Sequence, residues 1–360
     1  MKVTKTCEKL VKPKTPTPPH LRRCGLTLFD LCQKAKLIPC CFFYHFNRDD
    51  HEGNIEARLA RLEESLSEAL VVHYPMAGRY VEEGHFIDCN DQGAEFIVGR
   101  VDVWHDEILE KDRDRPGLDF MELIVRTPSF RANLPLVVAQ VYIFVCGAVA
   151  IGFSIVHRVA DCGSAITFLK GWAMLSRCGI LGDASYPSFE CIAGDVKIGS
   201  IGAEGPPSRV KIVFGLLWKA VVKIDGWKSN GNHRAISFQT AMNLRGIAGK
   251  LTPKNAFGNL VMDVYVEAGK EDREMELNGF VKAVQRTIKN ARSKYASIDN
   301  AEEFLAMAEG DSRSIDGLLH SRLHKEKHVV CSTCSCGFGS YEIDFGLGKP
   351  ELADATRTCI

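Results

Sequence analysis

The sequence changes from a long apolar run to an amphipathic one at Phe153-Ser-Ile-Val-His157-Arg-Val-Ala-Asp161-Cys-Gly-Ser164. From Leu134 to Val156 almost every residue is apolar and many are β-branched, which predicts strands in a protein interior. After Ser164 the apolar spacing through Leu175 predicts a helix. His157 therefore closes a buried strand, and strand ends are where clefts form.

His157 and Asp161 form an H-x-x-x-D pattern, which alone is weak because a lone histidine is more often structural. A neutral imidazole can accept a proton from a hydroxyl or amine near pH 7 when a neighbouring group holds the correct tautomer. On an extended strand end the two side chains lie too far apart to bond, whereas on a helical turn they can meet. The pattern leaves two roles open for Asp161: it orients His157, or it braces the loop through an arginine.

The run from Leu134 to Val156 is long enough to suggest a membrane span, but its composition favours two buried strands. Pro135 and Gln140 interrupt the run, Cys146-Gly147 provides a turn, and Val and Ile outnumber Leu. We therefore expect a β-hairpin here and no association with a membrane.

The composition is that of a globular protein, with 46% apolar and 25% charged residues, and a length of 360 residues favours two domains. Lys and Arg together equal Asp and Glu, which argues against nucleic acid as a partner. The fourteen cysteines are scattered and the first residues lack a hydrophobic core, so a reduced, cytoplasmic protein without a secretory signal is expected. The periodicity breaks down at 176–208, which predicts a crossover linker between domains at 1–175 and 209–360.

Apolar spacing predicts the remaining elements. An amphipathic helix is expected from about Asn54, and it ends before Pro75 and Gly78. Strands are expected at Cys40–Tyr44, in a hairpin at Arg79–Asp88, and at Glu95–Val98, Arg234–Met242 and Phe257–Val266, and further helices at Val210–Val222 and Glu274–Tyr295.

One tract carries histidine and cysteine at ligand-like intervals, at His324, His328, Cys331, Cys334 and Cys336. The histidines precede the cysteines and all five crowd into thirteen residues, unlike the separated halves of a zinc finger. Chance clustering is the simpler explanation, and no bound metal is expected. The chain also lacks a G-x-S-x-G elbow, a G-x-G-x-x-G fingerprint and a Walker loop, which argues against hydrolase and nucleotide-phosphate chemistry.

A tight turn is predicted at Asp344-Phe-Gly-Leu-Gly-Lys-Pro350, where two glycines flank one apolar residue. An aspartate before such a turn can pair with an arginine, such as Arg245. By its chemistry alone this segment is a structural turn. A role in a functional site is suggested only by its occurrence in the same chain as the His157 segment.

Together these segments resemble the BAHD family of plant acyl-CoA-dependent acyltransferases over most of the chain. The family's H-x-x-x-D, D-F-G-W-G and Y-P-L-A-G-R motifs match His157–Asp161, Asp344–Gly348 and Tyr74–Arg79. Its middle signatures match Asn243-Leu-Arg245 and Phe257-Gly-Asn259. Five signals in the expected order are far more specific than any one of them. The stretch from Ser340 to Gly346, among others, looks most like the vinorine synthase branch, which acetylates alkaloid hydroxyls.

The resemblance implies an α/β fold of two chloramphenicol-acetyltransferase-like domains, each a mixed sheet with helices, and an active-site channel at their interface. It also implies a small-molecule alcohol as acceptor, and acyl-CoA, expected as acetyl-CoA, as a co-substrate rather than a permanently bound cofactor. A monomer is expected.

The resemblance further assigns roles to individual residues. His157 would act as general base on the acceptor hydroxyl, without an acyl-enzyme, and Asp161 would hold the loop and the imidazole. Asp344 would pair with Arg245 to fix the wall distant from the base. Asn243, Gly346 and Gly348 would give structural support to the site.

Three departures from the family pattern motivate an alternative. Leu347 replaces the family's tryptophan, the segment between Phe189 and Arg209 is shorter than in family members, and the chain ends ten residues after Pro350 where relatives continue. Missing strands would expose sheet edges. The alternative is a catalytically impaired relative that binds ligand without turnover.

Overall fold

The structure is a computed structural model, and it describes residues 1–45, 53–114, 133–182, 185–189, 208–228, 235–268, 275–311, 327–333 and 336–355. The chain divides into two compact units. Unit 1 comprises Met1–Ser188, Phe257–Asn259 and Ser335–Thr358, and unit 2 comprises Phe189–Ala256, Leu260–Cys334 and Cys359–Ile360. Most of the predicted linker at 176–208 lies outside the described residues.

The regular elements are as follows. The strands are β1 Val3–Val11, β2 Arg23–Gly25, β3 Leu37–Tyr44, β4 Arg79–Val81, β5 Phe86–Asp88, β6 Ala94–Val101, β7 Val137–Phe144, β8 Val149–Val156, β9 Ala235–Asn243, β10 Val261–Ala268, β11 Lys327–Ser332 and β12 Leu352–Ala355. The helices are α1 Leu28–Leu31, α2 Gly53–Val72, α3 His105–Asp114, α4 Cys162–Cys178, α5 Arg209–Lys228 and α6 Leu277–Ala296. A further helical run occupies 301–311.

The main sheet of unit 1 has the strand order β1-β6-β7-β8-β3-β12 among the described residues. The β6–β7 pair is parallel and the other neighbouring pairs are antiparallel. Every residue of β7 and β8 is buried, which explains why the sequence there is a continuous apolar run rather than an alternating one. The predicted hairpin is confirmed, and Gly147 turns the chain with a φ of 87°.

None of the helices in the described part of the chain has both the length and the apolarity that a membrane crossing requires. The predicted amphipathic helix is confirmed as α2, which buries Leu62, Leu66 and Leu70. It packs against α4, whose Trp172 donates its indole N–H to the backbone oxygen of Leu62 at 3.0 Å. This helix pair fixes α4, and α4 begins immediately after the His157 loop.

The segment that carries Asp344 belongs to unit 1, although the sequence placed it with the second half of the chain. Its strand β12 pairs antiparallel with β3. The Tyr44 hydroxyl, at the end of β3, donates to the backbone oxygen of Ile343 at 2.9 Å. Phe345 is buried with its ring centroid 4.8 Å from that of Trp172. These long-range contacts draw the segment onto the first unit, and the local sequence carries no signal for them.

Unit 2 contains a sheet of order β10-β9-β11, with β9 and β10 antiparallel and β9 and β11 parallel. Trp218 on α5 and Phe280 on α6 meet at 4.8 Å and pack against the sheet around Phe238. The helices predicted at Val210–Val222 and Glu274–Tyr295 are confirmed, with ends that differ by a few residues.

The strand predicted from Phe257 begins only at Val261. Phe257–Asn259 turns instead within unit 1, where Phe257 donates its N–H to the backbone oxygen of Ser188 at 2.8 Å. Gly258 has a φ of 100°, a conformation that excludes it from a strand. The structure also contains β1, which the sequence did not predict. That strand is largely exposed and rich in lysine, so it has no apolar alternation to reveal it.

Candidate active site

His157 is the first residue after β8, at the end of the strand where its neighbour β3 begins. Its backbone N–H donates to the oxygen of Lys36 at 2.8 Å, which continues the β3–β8 pairing by one residue. The side chain is half-buried. The predicted position of His157 at a strand end next to a helix is therefore confirmed.

The imidazole is hydrogen-bonded to Asn259, with 3.2 Å between His157 Nδ1 and Asn259 Oδ1. The amide nitrogen of Asn259 donates to two acceptors, Asp30 Oδ1 and the backbone oxygen of His157, both at 2.8 Å. Because two acceptors surround one end of the amide, that end is the NH2 group and the other end is the oxygen. An amide oxygen can only accept, so Nδ1 of His157 carries a proton. In the neutral ring the lone pair is then on Nε2.

The carboxyl group of Asp30 holds this hydrogen-bond network in place. Its Oδ1 also accepts the backbone N–H of Asn259 at 2.7 Å, and its Oδ2 accepts the N–H and hydroxyl of Thr27 at 2.8 and 2.7 Å. The carboxyl is 2% exposed. Burial raises the pKa of Asp30 from its usual value to about 6, although the hydrogen bonds from Asn259 and Thr27 oppose the shift.

Gly258 is required beside this carboxyl for two reasons. Its φ of 100° is unfavourable for any residue with a side chain, and a Cβ there would lie 3.3 Å from Asp30 Oδ1. Sequence reasoning identified Phe257-Gly-Asn259 only as a family signature, and it missed Asp30 altogether. The only sequence signal for Asp30 is its place after Thr27 in a short helix, which is common in proteins.

Asp161 caps the helix that follows the histidine loop. Its Oδ1 accepts the backbone N–H of Ser164 at 2.9 Å, and its backbone is extended at the N-cap position of α4. The hydroxyl of Ser164 in turn donates to the backbone oxygen of Gly258 at 2.9 Å. Asp161 therefore braces the junction by capping α4, and Asn259 makes a side-chain contact with the His157 ring.

Asp344 organises the glycine turn that follows it. Its Oδ1 accepts the backbone N–H groups of Gly346 and Gly348 at 2.8 and 2.9 Å, and both glycines have positive φ, at 87° and 85°. The predicted tight turn is confirmed. Its aromatic packing comes from Phe345 against Trp172, whereas Leu347, at the position of the family's tryptophan, is half-buried.

The arginine beside Asp344 is Arg177 on α4, with 3.3 Å between its Nη1 and Asp344 Oδ2. The Asp344 segment packs on α4 within unit 1, and the expected pairing of Asp344 with Arg245 stays a prediction. Arg245 belongs to unit 2, where its Nε donates to the backbone oxygen of Ala256 at 3.0 Å. Its backbone N–H and Nη1 donate to Asn243 Oδ1 at 3.0 and 3.3 Å, which holds the chain where it leaves β9.

The histidine and cysteine tract is described only in part. His324 and Cys334 lie outside the described residues. The thiol of Cys331, on β11, donates to Gln239 Oε1 at 2.9 Å. That contact lies within the sheet of unit 2.

Comparison with known proteins gives a match to the model of the Transferase family over residues 1–191 and 195–357. The chain is 28% identical to acetyl-CoA-benzylalcohol acetyltransferase of Clarkia breweri, over 99% of this chain and 90% of that protein. It is also 28% identical to minovincinine 19-hydroxy-O-acetyltransferase of Catharanthus roseus, over 96% of this chain and 86% of that protein. Among solved structures, vinorine synthase matches with a TM-score of 0.74 and 22% identity, over 99% of this chain and 89% of that one.

Proposed function

Because the chain belongs to the Transferase family, which includes the BAHD acyl-CoA-dependent acyltransferases, we propose that it transfers an acetyl group from acetyl-CoA to a hydroxyl group of a plant specialised metabolite. Membership makes the chain an acyl-CoA-dependent acyltransferase, and the acyl group and acceptor are the proposed parts. The names of two relatives support both parts, since one is an acetyl-CoA-benzylalcohol acetyltransferase and the other a 19-hydroxy-O-acetyltransferase. Alkaloid acetyltransferases among the relatives favour an alkaloid alcohol as acceptor.

His157 is the proposed general base, and the hydrogen bond from its Nδ1 to Asn259 Oδ1 is the observation that carries the proposal. A base for a hydroxyl needs an imidazole nitrogen with a free lone pair and a ring that is held in one orientation. Asn259 provides both conditions, because it keeps the proton on Nδ1 and is itself fixed by Asp30. Nε2 then accepts the proton of the acceptor hydroxyl.

The proposed reaction balances without a covalent enzyme intermediate. As Nε2 of His157 takes the hydroxyl proton, the acceptor oxygen forms a bond to the thioester carbonyl carbon of acetyl-CoA. The tetrahedral intermediate then collapses, the carbon–sulfur bond breaks, and the CoA thiolate leaves. The proton held on His157 passes to that sulfur, which gives free CoA and restores the neutral base.

Other residues take positioning roles in this proposal. Asp161 holds the His157 loop through the start of α4, and Asp344 holds the turn that includes Gly346 and Gly348. Asn243 and Arg245 fix one another at the end of β9. None of these contacts requires a permanently bound cofactor. We also propose that the protein is a cytoplasmic monomer. Size-exclusion chromatography with light scattering tests the oligomeric state.

The test is acetyl transfer by the purified full chain, followed through release of free CoA thiol with a panel of alkaloid and phenolic alcohols. We expect turnover with at least one alkaloid alcohol, and a fall of about 10²-fold or more in His157→Ala. His20→Ala, which changes an exposed histidine of unit 1, is the matched control. Equal rates for wild type and His157→Ala would refute the base assignment. Calorimetric binding of CoA without turnover would instead favour the impaired relative that binds ligand only.

A further inference from the structure

Three potential metal ligands from separate segments of unit 1 meet at the end of β3. His45 follows β3 directly, His105 is the first residue of α3, and Glu351 precedes β12. His45 Nδ1 lies 3.3 Å from Glu351 Oε1, and His105 Nδ1 lies 3.9 Å from Glu351 Oε2. One ligand atom from each residue lies within 4.8 Å of the other two.

His105 is the unusual member of this group because it is buried without a hydrogen bond. Its side chain is 1% exposed, and neither ring nitrogen has a hydrogen-bond partner in the described part of the chain. Asp106 Oδ1 is 3.6 Å from Nδ1, which is too long for a hydrogen bond. The ring packs against Phe43 and Phe144, with centroids 5.8 and 5.5 Å away. Buried polar groups are normally satisfied, so a group left in this state indicates a missing partner such as an ion.

The chemistry of the three side chains selects the kind of ion. Two imidazoles and one carboxylate suit a divalent transition metal such as Zn²⁺, whereas Ca²⁺ and Mg²⁺ prefer oxygen ligands. A tetrahedral zinc ion with bonds of about 2.0–2.1 Å places its ligand atoms about 3.3 Å apart. The His45–Glu351 separation of 3.3 Å already matches that value, and His105 lies 3.9 Å from the other oxygen of Glu351. One ligand atom from each residue lies within 4.8 Å of the others, so metal binding requires the three side chains to move closer by at most about 1.5 Å.

We propose that His45, His105 and Glu351 bind one divalent transition-metal ion, with Zn²⁺ as the best-fitting ion and water as the fourth ligand. The ion fastens the carboxyl-terminal strand to the sheet. Glu351 already donates its backbone N–H to the oxygen of Phe43 at 2.8 Å, and β12 adds to the β3 edge immediately afterwards. A metal bound to Glu351 and the two histidines reinforces that pairing where it begins.

The ion has a structural role and not a catalytic one. His157 adjoins the first residue of β3, whereas His45 follows its last residue. The strand has eight residues, which at about 3.3 Å per residue separates the two places by roughly 25 Å. No spacing motif in the sequence indicates the site, because His45 and His105 are 60 positions apart and Glu351 lies 246 positions further on.

The first test measures metal content and thermal stability of the purified full chain after chelation, dialysis and titration with ZnSO4. We expect wild type to bind one more equivalent of zinc than His45→Ala or Glu351→Gln, and its thermal midpoint to rise on loading while theirs does not. His20→Ala is the matched control and should behave as wild type. The His45 side chain is 67% exposed and Glu351→Gln preserves volume, so both variants should match wild type in thermal midpoint without metal. Unchanged zinc stoichiometry in both variants would overturn the proposal.

The second test separates this site from the cysteines, which can also bind zinc. Co²⁺ replaces Zn²⁺ and reports its ligands, because thiolate ligation adds a charge-transfer band in the near ultraviolet. We expect the visible ligand-field absorption of tetrahedral Co²⁺ in wild type without that band, and its loss in His45→Ala. A charge-transfer band of equal strength in wild type and His45→Ala, with no other cobalt signal, would assign the metal to cysteine and reject the site.

Discussion

His157 Nδ1 lies 3.2 Å from Oδ1 of Asn259, a residue 102 positions further along the chain. The amide also donates to the main-chain oxygen of His157 itself, so Asn259 contacts both the ring and the backbone of the same residue. Asp30 Oδ1 accepts from the same amide nitrogen and from the backbone N–H of Asn259. A buried carboxyl, an amide and an imidazole thus form one chain of hydrogen bonds, and the tautomer of His157 depends on all three.

Replacing Asn259 should slow the reaction without removing the base. In Asn259→Ala the Nδ1 proton has lost its acceptor and the ring can rotate or change tautomer. General bases contribute about 10²–10⁴-fold, so the loss of orientation should lower kcat by about 10-fold or more, with little change in KM for acetyl-CoA. Steady-state kinetics check this split. Asn290→Ala, on the exposed face of α6, is the control, and a variant Asn259→Ala with wild-type kcat would contradict the role of the amide.

Asp30 should make the stability of unit 1 depend on pH. Burial raises its pKa in the folded chain to about 6, above the value in the unfolded chain. Between these two pKa values the folded state binds more protons, so the stability from this group is full at lower pH and is lost as pH rises through about 6. At neutral pH the loss is about 3 kcal/mol in the free energy of unfolding.

Urea unfolding of wild type and Asp30→Asn, at a series of pH values between about 4 and 7, measures this dependence. The variant has no carboxyl at this position, so its curve should lack the decline that Asp30 causes. At the low end of this pH range, where the wild-type carboxyl is protonated, the variant should be the less stable of the two, because its NH2 group cannot accept the hydrogen bonds that one carboxyl oxygen accepts from Asn259 or Thr27. Parallel pH dependences in the two proteins would show that the carboxyl keeps an ordinary pKa.

A side chain at position 258 should strain the turn that carries Asn259. Gly258→Ala places a residue with a Cβ at a φ of 100° and brings that carbon within 3.3 Å of Asp30 Oδ1. We expect a loss of about 1–3 kcal/mol in the free energy of unfolding, together with reduced kcat. Gly25→Ala in β2 is the matched control, because a Cβ there meets no atom within 4 Å. Similar losses in the two variants would mean that the turn tolerates the substitution.

The two kinds of contact that Asp344 makes, with the glycine N–H groups and with Arg177, should differ in their contribution to stability. Asp344→Ala removes the acceptor for two glycine N–H groups, which should cost about 1–3 kcal/mol. Arg177→Ala removes only a half-exposed ion pair, which should cost less than the loss of the two glycine contacts and less still in high salt. Thermal unfolding at low and high salt checks both expectations. The reverse order of the two losses would mean that the ion pair, and not the turn, holds this segment.

The sequence predicted the parts of the fold that depend on neighbours along the chain. The apolar run of β7 and β8, the helical period of α2 and the glycine turn after Asp344 are each local patterns, formed by residues that are close together in the sequence. His157 was found for the same reason, because a polar residue at the end of a buried strand is a local feature. The exposed strand β1 lacks such a pattern and was missed.

Only the tertiary structure decided the partners of these residues. Asn259 reaches His157, Arg177 reaches Asp344, and Glu351 reaches His45 across separations that no local period encodes. Each pairing depends on the order and register of strands and on helix packing, which are set by burial summed over a whole unit. The sequence by itself determined the elements and the presence of a histidine at the junction, because periodicity follows from which face of each element is buried. The contacts that orient that histidine became visible only once packing had brought distant segments together.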